Sequence, residues 1–354
     1  MKAREQEVVV ITGASAGIGR ATARAFARRG ANIGLVARGQ VGLEGARHEV
    51  EQLGGQAVVI PTDVADPNQL EAVASRVEDI FGPIDIWVNN AMVSVLSPVI
   101  EITPEEFQRV MNVTYLGYVH GTLSALRRML PRNRGVIVQV GSALSYRAIP
   151  LQSAYCAAKH AVKGFTESLR SELIHDGSHV RVTMVHLPGV NTPQFGWIKS
   201  RLPNHPQPVP PIYQPEVMAE AIVFGATHER RELWVGMPTV KTILGEKCIP
   251  GLLDHYLAEV AYAGQQTQMP IDSTRPDNLW TPVPEDRGAR GLFNRRARRS
   301  SLQLWASMNR GWLVLAGTAA LFLSCLWTRR SKGMKGPFFK QNQTISQKKM
   351  PSIS

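Results

Sequence analysis

Three cysteines in 354 residues, Cys156, Cys248 and Cys325, are too few and too scattered for a disulfide framework or a thiolate metal site, which points to a reducing compartment. Of the nine histidines only His175 and His179 stand at HxxxH spacing, with no third ligand in register, so His160, His175, His179 and His186 are expected to be structural or exposed and no bound metal is expected. The polar stretch Met1–Glu7 runs straight into an apolar strand and leaves no room for a secretory leader, so the body is expected in the cytoplasm. No internal repeat is present.

Acidic residues are scarce in one place only. Residues 285–354 hold 14 Lys/Arg against two Asp/Glu, whereas the 26 basic and 26 acidic residues before them cancel, so the net charge of +12 belongs to the tail. A neutral body excludes a nucleic-acid footprint spread over the fold. The cluster Arg295-Arg296-Ala297-Arg298-Arg299 reads as attraction to anionic headgroups or as a plain solvated linker, and no nucleic-acid partner is expected.

What is abundant is alternation. The short apolar runs Val8–Ile11, Ile33–Val36, Ala57–Ile60, Ile84–Val88, Val136–Val140 and Val180–Val185 alternate with helical stretches, the pattern of a parallel sheet with crossover helices. Asp66-Pro67-Asn68-Gln69 and Thr103-Pro104-Glu105-Glu106 each put a capping residue, a proline and then Gln or Glu at a helix start. From Pro188 to Pro215 the alternation breaks into a proline-rich loop carrying Phe195, Trp197 and Tyr213, read as an apolar pocket wall. Glu216–Thr227 is predicted helical and Glu232–Val235 a seventh strand. The fold expected is α/β, a doubly wound seven-stranded parallel sheet in a catalytic domain over 1–262. A polar, Pro/Arg-rich linker over 263–310 is expected to follow, then a membrane helix at 311–327 and a basic tail over 328–354.

Gly311–Trp327 runs 17 residues without a charge and spans ~26 Å as a helix, slightly short of a ~30 Å hydrocarbon core. A membrane anchor is the leading reading, with an amphipathic or domain-capping helix as the alternative. Basic residues on both sides leave its orientation open.

Thr12-Gly13-Ala14-Ser15-Ala16-Gly17-Ile18-Gly19 follows the first strand and opens a helix. Glycines at this spacing allow a tight turn, close approach to a pyrophosphate and close helix packing, with the phosphate at the helix N-terminus. The second strand ends Val36-Ala37-Arg38, where an NAD site offers a carboxylate to the ribose; an arginine there suits the 2′-phosphate of NADP(H). Asp63, after the third strand, is placed to accept from the adenine amino group or to cap the next helix.

Tyr155 and Lys159 lie four apart, one helical turn, so a lysine cation beside the phenol is expected to lower its pKa and make a proton relay. Ser142 ends the fifth strand 13 residues before Tyr155. Together with the glycine loop, Asn89-Asn90-Ala91, Asn112 and Pro188-Gly189, these residues resemble the classical short-chain dehydrogenase/reductase family over about residues 6–240. The resemblance implies an NADP(H)-dependent oxidoreductase acting on alcohols and carbonyls, with Tyr155 as general acid/base and Ser142 holding the substrate oxygen. Lys159 would bind the nicotinamide ribose, and Asn112 would support a water linking the lysine to solvent. Cofactor contacts are implied at Gly13, Ser15, Gly17, Ile18, Gly19, Arg38, Asp63, Val64, Asn90, Tyr155, Lys159, Val190 and Thr192, the last two at the carboxamide. A homo-oligomer is implied as well. The family's Asn-Asn-Ala-Gly turn ends here in Met92, which is expected to alter the local backbone or push on the nucleotide. A lipophilic substrate suits the proline-rich loop. An idle NADP(H)-sensing or membrane scaffold protein is the alternative, although such a protein needs no intact Asn-Ser-Tyr-Lys set.

Overall fold

Seven strands form one fully parallel sheet: β1 (Val8–Thr12), β2 (Asn32–Ala37), β3 (Gln56–Pro61), β4 (Ile86–Asn89), β5 (Val136–Ser142), β6 (Arg181–Leu187) and β7 (Glu232–Trp234), in the order β7-β6-β5-β4-β1-β2-β3. β1, β2 and β5 are buried along their whole length, which is why they read as continuous β-branched runs rather than alternating ones. The computed structural model describes residues 6–272, 274–313, 315, 318, 321 and 324.

The crossover helices make two layers. α1 (Gly17–Ala27) packs on α2 (Gln40–Gln52) and α7 (Pro215–Thr227), while α3 (Pro67–Phe81), α4 (Pro104–Met111), α5 (Gly117–Met129) and α6 (Ser153–His175) pack on one another. The start signals work as their chemistry dictates. Asp66 accepts from the amides of Asn68 and Gln69, and Thr103 and Glu106 close a reciprocal capping box. Strand order reverses between β1 and β4, so the loops leaving their carboxyl ends diverge and open a crevice there. The glycine loop enters it from β1 and the Asn90 turn from β4.

Residues Met1–Trp305 form one unit and Ala306–Ser354 a second. The boundary lies far beyond the expected domain end at 262, because the stretch read as a linker is tied to the body. Gln266–Pro270 pairs antiparallel with Asn204–Pro206, Gln214 donates its amide to the Arg298 carbonyl, and Arg296 donates to Gln207 at 2.9 Å. Side chains make attachments as well as backbone: Asp286 pairs with Arg20, and Asn294 accepts from the Asn191 side chain at 3.0 Å. The expected membrane helix over 311–327 lies largely outside the described residues; among those that are described, no helix is long and apolar enough to cross a membrane.

Candidate active site

At the crevice, the chain must turn within one residue of β1. Gly13 does so at φ +70°, and a Cβ on it would lie 2.8 Å from the Asn90 side-chain nitrogen and 2.9 Å from Ala91 Cα. A Cβ on Gly19, the next turn, would collide with the Gly13 carbonyl. The cradle therefore admits backbone only. Thr12 fastens it to the neighbouring turn: its hydroxyl accepts from the amides of Asn90 (2.9 Å) and Ala91 (3.1 Å), while the Asn90 side chain donates to the Thr12 carbonyl at 2.9 Å. α1 begins at Gly17 with no side-chain cap; the Gly17 amide donates to the Gly288 carbonyl at 3.1 Å, and the first-turn amides that follow it are left for the crevice. Met92 occupies the turn without a left-handed backbone and lines the cavity.

At the adenosine end, Arg38 lines the cavity but its guanidinium is already engaged. It donates to the carbonyls of Asn278, Leu279 (3.3 Å) and Trp280 (2.8 Å), and among the described residues it makes no ion pair. Burial, with Arg109 nearby, pulls its pKa below the usual arginine value. Asp63 is less free than the sequence suggests. Its carboxylate takes Arg109 at 2.6 Å and the Ala65 amide at 3.0 Å, so it is committed before any adenine arrives.

At the chemical end, Ser142 closes β5 and caps a short turn, its oxygen accepting from the Leu144 amide at 3.1 Å. Its proton is left to donate, and Ser142 is hydrogen-bonded to Tyr155. The Tyr155 phenol nevertheless stands above its ordinary value, because burial outweighs that bond. In the unliganded chain, without a nicotinamide charge beside it, Lys159 does not offset that rise. The lysine is 2% exposed and burial pushes its own pKa down to about 7. Its nitrogen donates to the Val140 carbonyl (2.8 Å) and to the Tyr118 hydroxyl (2.9 Å), and lies 5.7 Å from the Tyr155 ring centre. Two of three ammonium protons are thus held by the wall, and the third faces the cavity.

Tyr118 escaped the sequence reading, as did the buried support beneath Ser142. His186, fully buried, meets the Ser142 carbonyl through Nδ1 at 3.1 Å, and its other nitrogen is 3.5 Å from Glu232. Although burial opposes its charge, His186 beside it and hydrogen bonds from Tyr146 and Trp234 hold the Glu232 carboxyl well below the usual carboxylate range. Asn112 opens a single π turn, Asn112–Leu116, between α4 and α5. It does not line the cavity, and neither does Gly19; the other expected site residues all do. Cys156, beside the tyrosine, points into packing, and burial raises its thiol to about 11.

A cavity of about 630 Å³ joins these ends. Thr192, 6% exposed, sits on its wall with a buried hydroxyl that has no protein partner, an orphan that fits an amide of a bound nicotinamide. Beyond Ser142 the wall becomes apolar, with Phe195 and Trp197 from the proline-rich loop, Pro238 from α8 (Gly236–Cys248), and Leu253, Leu257 and Val260 from α9 (Pro250–Gly264). Tyr213 does not join them; it is buried beside Val190.

Residues 7–201 match the family model described as short chain dehydrogenase. The chain is 34% identical over 282 residues to an uncharacterized oxidoreductase of Bacillus subtilis, covering 79% of each. It is 32% identical over 220 residues to a fatty acyl-CoA reductase of Acinetobacter baylyi, covering 62% of this chain and 72% of that one. Among solved structures it resembles an alcohol dehydrogenase from the archaeon Thermococcus sibiricus complexed with 5-hydroxy-NADP, at 30% identity and a TM-score of 0.57, over 65% of this chain and 96% of that one. With the glycine cradle, the strand-end serine and the tyrosine-lysine helix in these positions, the chain belongs to the short-chain dehydrogenase/reductase family.

Proposed function

We propose that this protein is an NADP(H)-dependent oxidoreductase that interconverts a lipophilic alcohol and its carbonyl compound. The observation that carries the cofactor reading is Arg38. A guanidinium withdrawn from water onto a cavity wall, with carbonyls but no carboxylate for company, is a costly arrangement unless an anion joins it. A 2′-phosphate beside Ala37 is such an anion, and the relative holding 5-hydroxy-NADP supports the same reading. The glycine cradle, the first-turn amides of α1 and the Thr192 hydroxyl would hold the pyrophosphate and carboxamide.

When bound, the dinucleotide supplies or takes the hydride at the substrate carbon. The chain's own residues handle the oxygen. In reduction, Ser142 donates a hydrogen bond to the carbonyl oxygen and fixes it beside Tyr155, whose hydroxyl proton passes to that oxygen as it gains charge. In oxidation the same proton returns to the phenolate, whose charge is favoured by the Ser142 hydrogen bond. Tyr118 and Val140 position the Lys159 nitrogen. The apolar wall made by Phe195, Trp197 and α9 supports the lipophilic substrate, as does the fatty acyl-CoA reductase relative.

The test is dinucleotide consumption by the full chain against a panel of aldehydes, ketones, steroids and retinoids, with NADPH and NADH side by side. Turnover with NADPH on at least one apolar member is expected; none on any member would sink the reading. In Arg38→Ala, a charge-assisted contact of about 1.5–3 kcal/mol is lost, so NADPH affinity should fall by about tenfold to a hundredfold. NADH affinity should change far less, and equal losses would remove the assignment of Arg38 to the 2′-phosphate.

A further inference from the structure

Residues 278–289 lie outside the part of the chain that matches the family model, yet Asn278, Pro282, Val283, Glu285 and Arg287 line the cavity. Two buried residues peg the segment at its ends. Leu279 is fully buried in the core beside Val36 and Val64, and Ala289 is buried against Ala21 of α1 and Ala219 of α7. Between the pegs the chain is mostly exposed on its outer side, while Pro282, Val283, Glu285 and Arg287 line the cavity beneath. One peg stands at the β2–β3 edge and the other at α1, so the span crosses the groove between them.

Its polar contacts fall on groups that a dinucleotide site uses. Carbonyls of 278–280 take the Arg38 guanidinium, and the Leu279 carbonyl also takes Arg109 at 3.1 Å, the arginine that holds Asp63. The Gly288 carbonyl accepts from the Gly17 amide at 3.1 Å, at the first turn of α1. Asp286 pairs with Arg20, which is 3% exposed and also bonded to Glu49 at 3.0 Å. The groove is roofed rather than filled: Gly13, Ser15, Ile18, Arg38 and Val64 still line open space below the span.

We propose that residues 278–289 are a strap belonging to the nucleotide site, which aims Arg38 at the 2′-phosphate and closes the adenosine end over the bound dinucleotide. The proposal rests on the NADP(H) reading above. Three of the five N–H groups of Arg38 are spent on strap carbonyls, which fix the plane of the guanidinium and leave two directed elsewhere. Preorganising a long side chain in this way removes the entropy it would lose on binding. Lifting the strap is then a condition for exchange, so dissociation is slow.

The experiment uses the full chain, wild type against Asp286→Ala and against Leu279→Ala/Asp286→Ala. Asp286→Ala alone leaves Arg20 bonded to Glu49 and keeps the core intact. Equilibrium binding of NADPH and NADH by fluorescence, and NADPH release by chase in a stopped-flow instrument, read the effect. NADPH affinity is expected to fall at least tenfold in the double variant with a matching rise in release rate, NADH affinity to fall as well but by a smaller factor, since it loses the closure and not the 2′-phosphate contact, and Asp286→Ala to lie between. Unchanged NADPH affinity in both variants overturns the strap, and a gain in affinity overturns it as well, making the segment a competitor of the nucleotide. Failure of the wild type to bind either dinucleotide brings down the cofactor reading and the strap with it. Hydrogen exchange on the wild type gives an independent reading: amides of 280–288 should slow about tenfold with NADPH while those of α7 do not, and equal rates with and without NADPH count against closure.

Discussion

In Tyr155→Phe, turnover of any substrate the enzyme accepts should fall by about 10²–10⁴-fold, the range lost when a positioned acid/base is removed, with NADPH affinity kept within about threefold. The asymmetry follows from where the hydroxyl stands. Tyr155 meets Ser142 on one side and open cavity on the other, and no backbone or nucleotide-cradle group depends on it. Phenylalanine keeps the ring against the wall and removes only the proton. Because burial leaves the phenol above its ordinary value, the unliganded chain holds Tyr155 as an acid across neutral pH, ready to give its proton in reduction. Comparable losses of turnover and NADPH affinity would instead make Tyr155 a packing residue. Steady-state rates beside fluorescence titration separate the two.

Much of this arrangement is legible in the sequence wherever the cause is local. Asp66 and Thr103 announce their helices because a cap acts within three residues. The glycine loop is legible because the constraint is steric and only glycine meets it at Gly13. Ser142, Tyr155 and Lys159 are legible by spacing, since strand end and helical turn fix their relative places. What a residue's neighbours do to it is another matter. Tyr118 meets Lys159 from a different helix, 41 residues away, and no spacing announces that meeting. Glu232 reads as a polar residue on an edge strand, yet His186, Tyr146 and Trp234 enclose it under Ser142.

The strap is the plainest case of information that composition hides. Residues 278–289 are polar and proline-containing, which reads as a linker, because the groups that bind Arg38 and Gly17 are backbone carbonyls common to every residue. Leu279 and Ala289 are the buried apolar residues of the segment, and two apolar residues ten apart form no recognisable period, while the pairing of Asp286 with Arg20 is a tertiary fact. Arg38 was legible as a cation at the end of β2, but its fixed direction was not. Asp63 differs in the same way: its position is written in the sequence, while its commitment to Arg109 is a tertiary fact.

Lys159 provides a prediction that does not depend on any ligand. Its ordinary pKa is 10.5 and burial lowers it to about 7 in the fold. Below pH 7 both folded and unfolded chains carry the proton, and the fold bears the full cost of a buried ammonium. Between 7 and 10.5 the unfolded chain holds a proton that the folded chain has released, so raising the pH favours folding, by up to ~1.4 kcal/mol per pH unit. Lys159→Met has no such group, and it leaves the Tyr118 hydroxyl donating to the Val140 carbonyl at 2.9 Å. The unfolding free energy of the wild type, measured relative to Lys159→Met by urea titration, should therefore rise by about 3 kcal/mol from about pH 7 to about pH 9.5. The direction matters more than the size. A difference that stays flat over this range would mean that the Val140 carbonyl and the Tyr118 hydroxyl hold the ammonium at its ordinary pKa, and that the lysine stands charged in the site at every working pH.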